Sequence, residues 1–182
     1  MSEALHHRVM MAAVLIGAIA AVAVGQDVPY VGIVIEPTVK VRAGAAKTMY
    51  SVAELERGSL VKVDEVMFGW YKIEPPSAFF SYISKAYVDA KEGGQVGGVN
   101  TDYTVVKAGG TDRPADQCFR IQLRLRKDDT VDIIGESGSF YKIRPPSGVF
   151  VFLPPSALRR ASSKEIAAGG LVGEPAEASV PP

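Results

Sequence analysis

Trp70-Tyr71-Lys72-Ile73-Glu74-Pro75-Pro76-Ser77 returns seventy residues later as Phe140-Tyr141-Lys142-Ile143-Arg144-Pro145-Pro146-Ser147, with six of the eight positions identical. A match of this length at a fixed offset marks an internal repeat. Downstream at the same offset, Phe80 matches Phe150, Tyr82 matches Phe152, Ile83 matches Leu153 and Val88 matches Leu158. Upstream, residues 55–63 align with 125–133. Val41-Arg42-Ala43-Gly44 aligns with Val106-Lys107-Ala108-Gly109, now at an offset of 65. The second copy therefore carries five extra residues between Gly109 and Leu125, and length variation of this kind belongs in a loop.

Within each copy the apolar residues alternate with period 2, which is strand patterning. Val61 and Val63 flank Lys62, and Val131 and Ile133 flank Asp132. Phe119, Ile121, Leu123 and Leu125 alternate with Arg120, Gln122, Arg124 and Arg126, predicting a half-buried strand with a basic outer face. Gly58-Ser59 and Asp128-Asp129 occupy equivalent turn positions, as do Gly69 and Gly138-Ser139. The proline pairs cannot donate ladder hydrogen bonds, so each ends a strand and shapes the loop that follows. No long amphipathic helix is legible after residue 25. Short strands with frequent turns give an all-β fold of small barrels.

Composition narrows the function. The chain has 182 residues, is 47% hydrophobic and 22% charged, and carries no net charge, so no global field draws it to nucleic acid. Its single cysteine, Cys118, cannot close an intrachain disulfide or build a cysteine-rich metal site. As an unpaired thiol at a strand start, Cys118 reads as a small buried residue under the long loop, the alternative being intermolecular pairing in an oxidising compartment. The only histidines are His6 and His7. Residues 10–24 form an apolar run of 15 behind Arg8, too short to span a bilayer and the length of a secretory signal. Cleavage is expected after Gly25, with Ala23 as the alternative. The mature chain then has no histidine, which removes His-based hydrolysis and His-ligated zinc. Neither a catalytic group, a metal site nor a cofactor is expected, and the location is the periplasm or cell envelope. Membrane attachment would come only from an uncleaved signal.

The resulting organisation is a signal peptide over 1–25, a first unit over 28–91, a Gly-rich linker over 92–101, a second unit over 102–161, and a disordered tail over 162–182. At about 60 residues, each unit is marginal for an independent core. The segment Lys91-Glu92-Gly93-Gly94-Gln95-Val96-Gly97-Gly98 reads as a flexible hinge. The charge is uneven: residues 101–161 carry 10 basic and 7 acidic groups, a net of +3.

Each copy resembles a bacterial SH3 (SH3b) domain. The first gives Val41-Arg42-Ala43-Gly44, then Gly58-Ser59-Leu60-Val61-Lys62-Val63, then Gly69-Trp70-Tyr71-Lys72-Ile73. It closes on the stretch from Phe80 to Val88. The second copy departs at Lys107, Asp128 and Phe140, which stand where the first has Arg42, Gly58 and Trp70. The resemblance implies two tandem five- to six-stranded barrels without catalytic machinery, binding peptidoglycan or an envelope protein. No hydrolase domain accompanies them here.

The ligand-contact candidates are Trp70, Tyr82, Tyr87, Phe140 and Phe152, with Tyr50 as a possible neighbour. Strand parity sets Trp70 opposite Tyr71 and Ile73, so an exposed indole could floor a groove. The alternative is that Trp70 packs beneath the loop after Pro76 or between the barrels. Arg120, Arg124 and Arg126 form a basic stripe, either for an anionic wall polymer, lipid headgroup or acidic protein, or as a solvated face that protects an edge. Two functional readings stand. In one, two weak sites on a hinge recognise a wall polymer or envelope protein, with avidity supplying the affinity. In the other, the barrels pack through Trp70 and Phe140 into one rigid assembly surface.

Overall fold

The computed structural model describes residues 27–172; the expected export signal and the end of the tail lie outside them. The described chain is all-β with one short helix. Its strands are β1 (Tyr30–Val34), β2 (Thr38–Arg42), β3 (Ser51–Glu56), β4 (Leu60–Met67), β5 (Trp70–Ile73), β6 (Ser81–Ser84) and β7 (Val88–Ala90). The second copy supplies β8 (Val96–Val99), β9 (Thr104–Ala108), β10 (Ile121–Leu125), β11 (Thr130–Ser137), β12 (Phe140–Ile143), β13 (Val151–Leu153) and β14 (Leu158–Arg160). Helix α1 (Ser163–Ala168) follows.

These strands form two antiparallel seven-stranded sheets whose membership does not follow the copies. The first has the order β14-β1-β4-β5-β13-β2-β3, and the second β10-β9-β6-β12-β11-β8-β7. The last two strands of each copy are thus exchanged. Tyr71 pairs with Leu153 and Ile73 with Val151 in the first sheet, while Tyr141 pairs with Ile83 and Ile143 with Ser81 in the second. At the offset of 70 these are the same registers. The second sheet is drawn wholly from residues 81–143, and it is inserted between β5 and β13 of the first. The expected partition at 28–91 and 102–161 is corrected accordingly.

The proline pairs account for the crossing. Proline holds its own φ near −65° and pushes the residue before it toward extended conformations, so two in succession extend the chain. Residues 74–80 and 144–150 therefore leave their sheets instead of folding straight back as hairpins. Each crossing then makes one turn, with Phe79 N donating to Pro76 O at 2.9 Å and Val149 N to Pro146 O at 3.3 Å. Phe79 and Val149 are buried at those turns. The two crossings run together along a cleft of about 590 Å³ that Glu74, Arg144 and both proline pairs line.

The larger core joins the sheets. Val41, Val63, Ile73, Val151 and Leu153 are fully buried in it, and Tyr82, Ala108, Ala115 and Cys118 enter it from the second sheet's side. Burying an aliphatic side chain of this kind contributes roughly 1.5–3 kcal/mol. A smaller core under the second sheet holds Ile83, Val88, Val99, Val106, Val131, Ile133 and Ile143.

Three other expectations change. The Gly-rich segment is not a hinge: Lys91 N donates to Val96 O at 2.8 Å, and Val96–Val99 is strand β8 in a hairpin with β7. A Cβ at Gly97 would fall 2.3 Å from Val88 Cγ1, so glycine there permits close strand packing rather than flexibility. The tail after residue 161 begins as helix α1, closed by a capping box between Ser162 and Glu165. Arg159 also grips Glu165 through two hydrogen bonds of 3.0 and 2.6 Å. That guanidinium, with Ser162, holds the Glu165 carboxyl well below the usual carboxylate range. Finally, β10 is an edge strand with a register break between Ile121 and Leu123. Leu123 and Leu125 pack on core after the break, whereas Phe119 and Ile121 before it are 57% and 42% exposed.

Candidate functional site

An aromatic groove of about 370 Å³ lies on the second sheet. Its lining includes Tyr87, Tyr103, Phe140 and Lys107, with Ser84, Thr101 and Asp102 at its edges. Phe140 opens β12 and pairs with Ser84 on β6, which brings the aromatic ring beside the 3₁₀ turn Lys85–Tyr87. The Tyr87 carbonyl accepts from Asn100 N at 3.1 Å, tying this turn to the approach of β9. Tyr103 sits in that approach with φ of 59°, a left-handed conformation that a bulky residue rarely adopts. Its carbonyl accepts from Arg124 Nη1 at 3.3 Å, Thr104 Oγ1 donates to Thr101 O at 2.7 Å, and Lys127 N donates to Asp102 Oδ1 at 3.0 Å. Tyr103 is 77% exposed and Tyr87 47%, so both rings present faces to solvent over a floor fixed by hydrogen bonds.

Strand exchange assembles this groove. Tyr87 belongs to the first copy, while Phe140 and Tyr103 belong to the second. At the equivalent positions of the first sheet stand Ala157, Trp70 and Thr38. Ala157 is fully buried and Trp70 is 9% exposed. The exposed indole expected at Trp70 is therefore corrected: both Trp70 and Tyr71 are turned from solvent despite their opposite strand parity. Parity fixes which face a side chain takes, not whether a second layer covers that face.

The other candidates divide between core and surface. Tyr82 is buried, with its ring 6.2 Å from Phe140 and 5.2 Å from Phe80, both edge-on. Tyr82 supports Phe140 from below rather than lining the groove, and Phe152 is likewise buried. Arg120, Arg124 and Arg126 are exposed, but only Arg124 is tied to the groove, through Tyr103. Tyr103, Asp102, Thr101, Lys107 and Ser84 were not among the expected contacts. The signal for Tyr103 was an aromatic without a counterpart, since the first copy has Thr38 there.

A second polar cluster seals the seam. Tyr50, 2% exposed, donates to Ala108 O at 2.8 Å and accepts from Arg120 N at 3.3 Å. Burial pushes its phenol up to about 12. Arg113 stacks 4.3 Å from the Tyr50 ring centre. Cys118 lies fully buried beneath the longer loop of the second copy, its Sγ accepting from Gly110 N at 3.2 Å. Burial raises its thiol pKa, which keeps it protonated and unreactive. The five extra residues thus fill the junction with the first sheet.

The fold and groove define a class: an all-β protein of two strand-exchanged sheets with an open aromatic groove on the second. Comparison with protein-family models finds no matching family, and comparison with curated proteins finds no matching relative.

Proposed function

We propose that this is an exported, non-enzymatic binding protein. Its two SH3-like barrels recognise a cell-envelope ligand, peptidoglycan or an envelope protein, through the groove of Tyr87, Tyr103 and Phe140. The observation that carries the reading is that solvent-facing aromatic rings line one concave site whose backbone is pinned on several sides. Aromatic faces suit sugar rings and the flat faces of peptide segments, and the volume falls within the usual roughly 300–1,000 Å³ of ligand sites. In this reading a site on a tied scaffold does the binding, in place of two equivalent sites working by avidity. The short apolar run behind Arg8 supports export to the periplasm or envelope.

The test is co-sedimentation of the mature chain, residues 26–182, with insoluble peptidoglycan sacculi across a salt series. Tyr103→Ala is the informative variant because its ring contributes little to the core. Sedimentation by the wild type that Tyr103→Ala abolishes, with the circular dichroism unchanged, supports a wall-binding groove. No sedimentation at any salt removes peptidoglycan and leaves the envelope protein. The reading as a rigid assembly protein draws support from the exchange itself, which ties the two sheets into one body. There Trp70 contributes as a buried side chain.

A further inference from the structure

The β4–β5 hairpin turns at Phe68-Gly69, where φ is 51° and 78°. Positive φ at both central residues is the type I′ pattern, for which Asn-Gly is favoured and a phenylalanine is unfavourable. Phe68 is nevertheless 89% exposed, and Val66 beside it is 42% exposed. At the matching positions of the second sheet stand Gly138 and Glu136. A bulky apolar side chain held at a strained tip, in water, contributes nothing to this fold. The strain and exposure point to a docking element.

We infer that the apolar tip of one copy docks in the aromatic groove of a second copy, so that the chain self-associates head to tail. This rests on the groove reading above and names a partner for that same site. Among the described residues Phe68 does not line the groove, so a chain's own tip does not fill it. Among the described residues the tip belongs to the first sheet and the groove to the second, so each copy offers both. Charge is complementary. Asp64 and Glu65 against Lys72, which pairs with both, leave one negative charge behind the tip. Lys107 and Arg124 against Asp102 leave one positive charge beside the groove. Such a contact is heterologous: repeated, it builds a ring where the rotation closes and an open row where it does not.

Sedimentation velocity on the mature chain over a wide concentration range tests this. The wild type is expected to grow beyond a dimer as concentration rises, and to do so less at high salt. Phe68→Asp and Tyr103→Asp should each remain monomeric. Their equimolar mixture should form a heterodimer and stop there, because one intact tip and one intact groove remain. A wild type that is monomeric throughout, a Phe68→Asp variant that associates like the wild type, or a mixture that stays monomeric would overturn the inference. So would binding of monomeric wild type to phosphatidylcholine–phosphatidylglycerol vesicles that Phe68→Asp abolishes, which would assign the tip to a lipid surface. Sacculi binding by Phe68→Asp that Tyr103→Ala lacks would keep the groove reading even if self-association fails.

Discussion

The two sheets share strand order and register, yet they have been put to different uses. Both place an aromatic at the start of the strand before the proline pair. In the first sheet that residue is Trp70, which is turned from solvent, and the counterpart of Tyr87 is the fully buried Ala157. In the second it is Phe140, flanked by Tyr87 and Tyr103, and the site is open. The difference shows how little sequence separates a closed copy from an open one. The open groove differs from its first-sheet counterpart in having Tyr87 for Ala157, Tyr103 for Thr38 and Phe140 for Trp70. A second difference concerns completeness. The second sheet is continuous in the chain, whereas the first needs β13 and β14 from beyond the insertion.

The sharpest way to break this comparison is to cut the chain. Residues 27–78 alone should stay unfolded, because their sheet lacks its two closing strands. Residues 79–146 retain every strand of the second sheet and should fold with a lowered Tm, having lost the partners of Tyr82, Ala108 and Cys118. Circular dichroism and thermal melts decide between them. A folded 27–78 fragment would refute the asymmetry.

A smaller effect is expected from Leu153→Ala, which empties a fully buried position in β13. It should cost about 2–5 kcal/mol in denaturant unfolding. Tyr50→Phe removes one buried and one part-buried hydrogen bond at the seam and should cost about 1–2 kcal/mol. It also has a pH signature. The phenol is raised from 10.0 to about 12 in the folded state, so its contribution is complete below pH 10 and is lost as pH rises from there toward 12. Tyr50→Phe should flatten that alkaline limb, leaving the parts due to Tyr30, which burial also raises to about 12, and to the Cys118 thiol, which burial raises as well.

Phe68→Asn places the favoured type I′ residue at the strained tip and should stabilise the chain by about 1 kcal/mol. Gain of stability with loss of self-association would separate the tip's cost from its use. The smallest effect belongs to Glu165. Its carboxyl is depressed in the folded state, so the cap and ion pair are intact above the ordinary carboxylate pKa of about 4.3 and fail as pH falls through and below it. Glu165→Gln should remove that acid dependence, read as a change in melting temperature between pH 5 and pH 2.

Much of the fold was legible and its central feature was not, for a definite reason. Period-2 patterning around Val61, Val63, Val131 and Ile133 gave the strands, and the repeat gave their equivalence. That same equivalence hid the exchange. Ile83 and Leu153 occupy one repeat position, so either fits beside Tyr71 or Tyr141 with the apolar pattern unchanged. Only the extended path through Pro75-Pro76 and Pro145-Pro146 decides between them. Of the groove, Tyr87 and Phe140 were expected because they lie on repeat elements. Tyr103 was missed because it lies in a turn and departs from the repeat. Phe119 and Ile121 were expected to be buried because their alternation is regular, but at an edge with a register break they stay largely exposed, Phe119 meeting the edge of Tyr50 and Arg113.

Because the second sheet is nested within the first, the order in which the molecule is finished runs against the order in which it is made. Domains generally fold from the N-terminus as the chain emerges. Here every strand of the second sheet is present once Ile143 is out, while the first waits for Arg160. The oldest part of the nascent chain is therefore the last to close, and β1 through β5 stay without their closing strands until almost all the described residues have been delivered. A chain threaded through a membrane pore in the same direction would keep its leading segment open until nearly the end of transit.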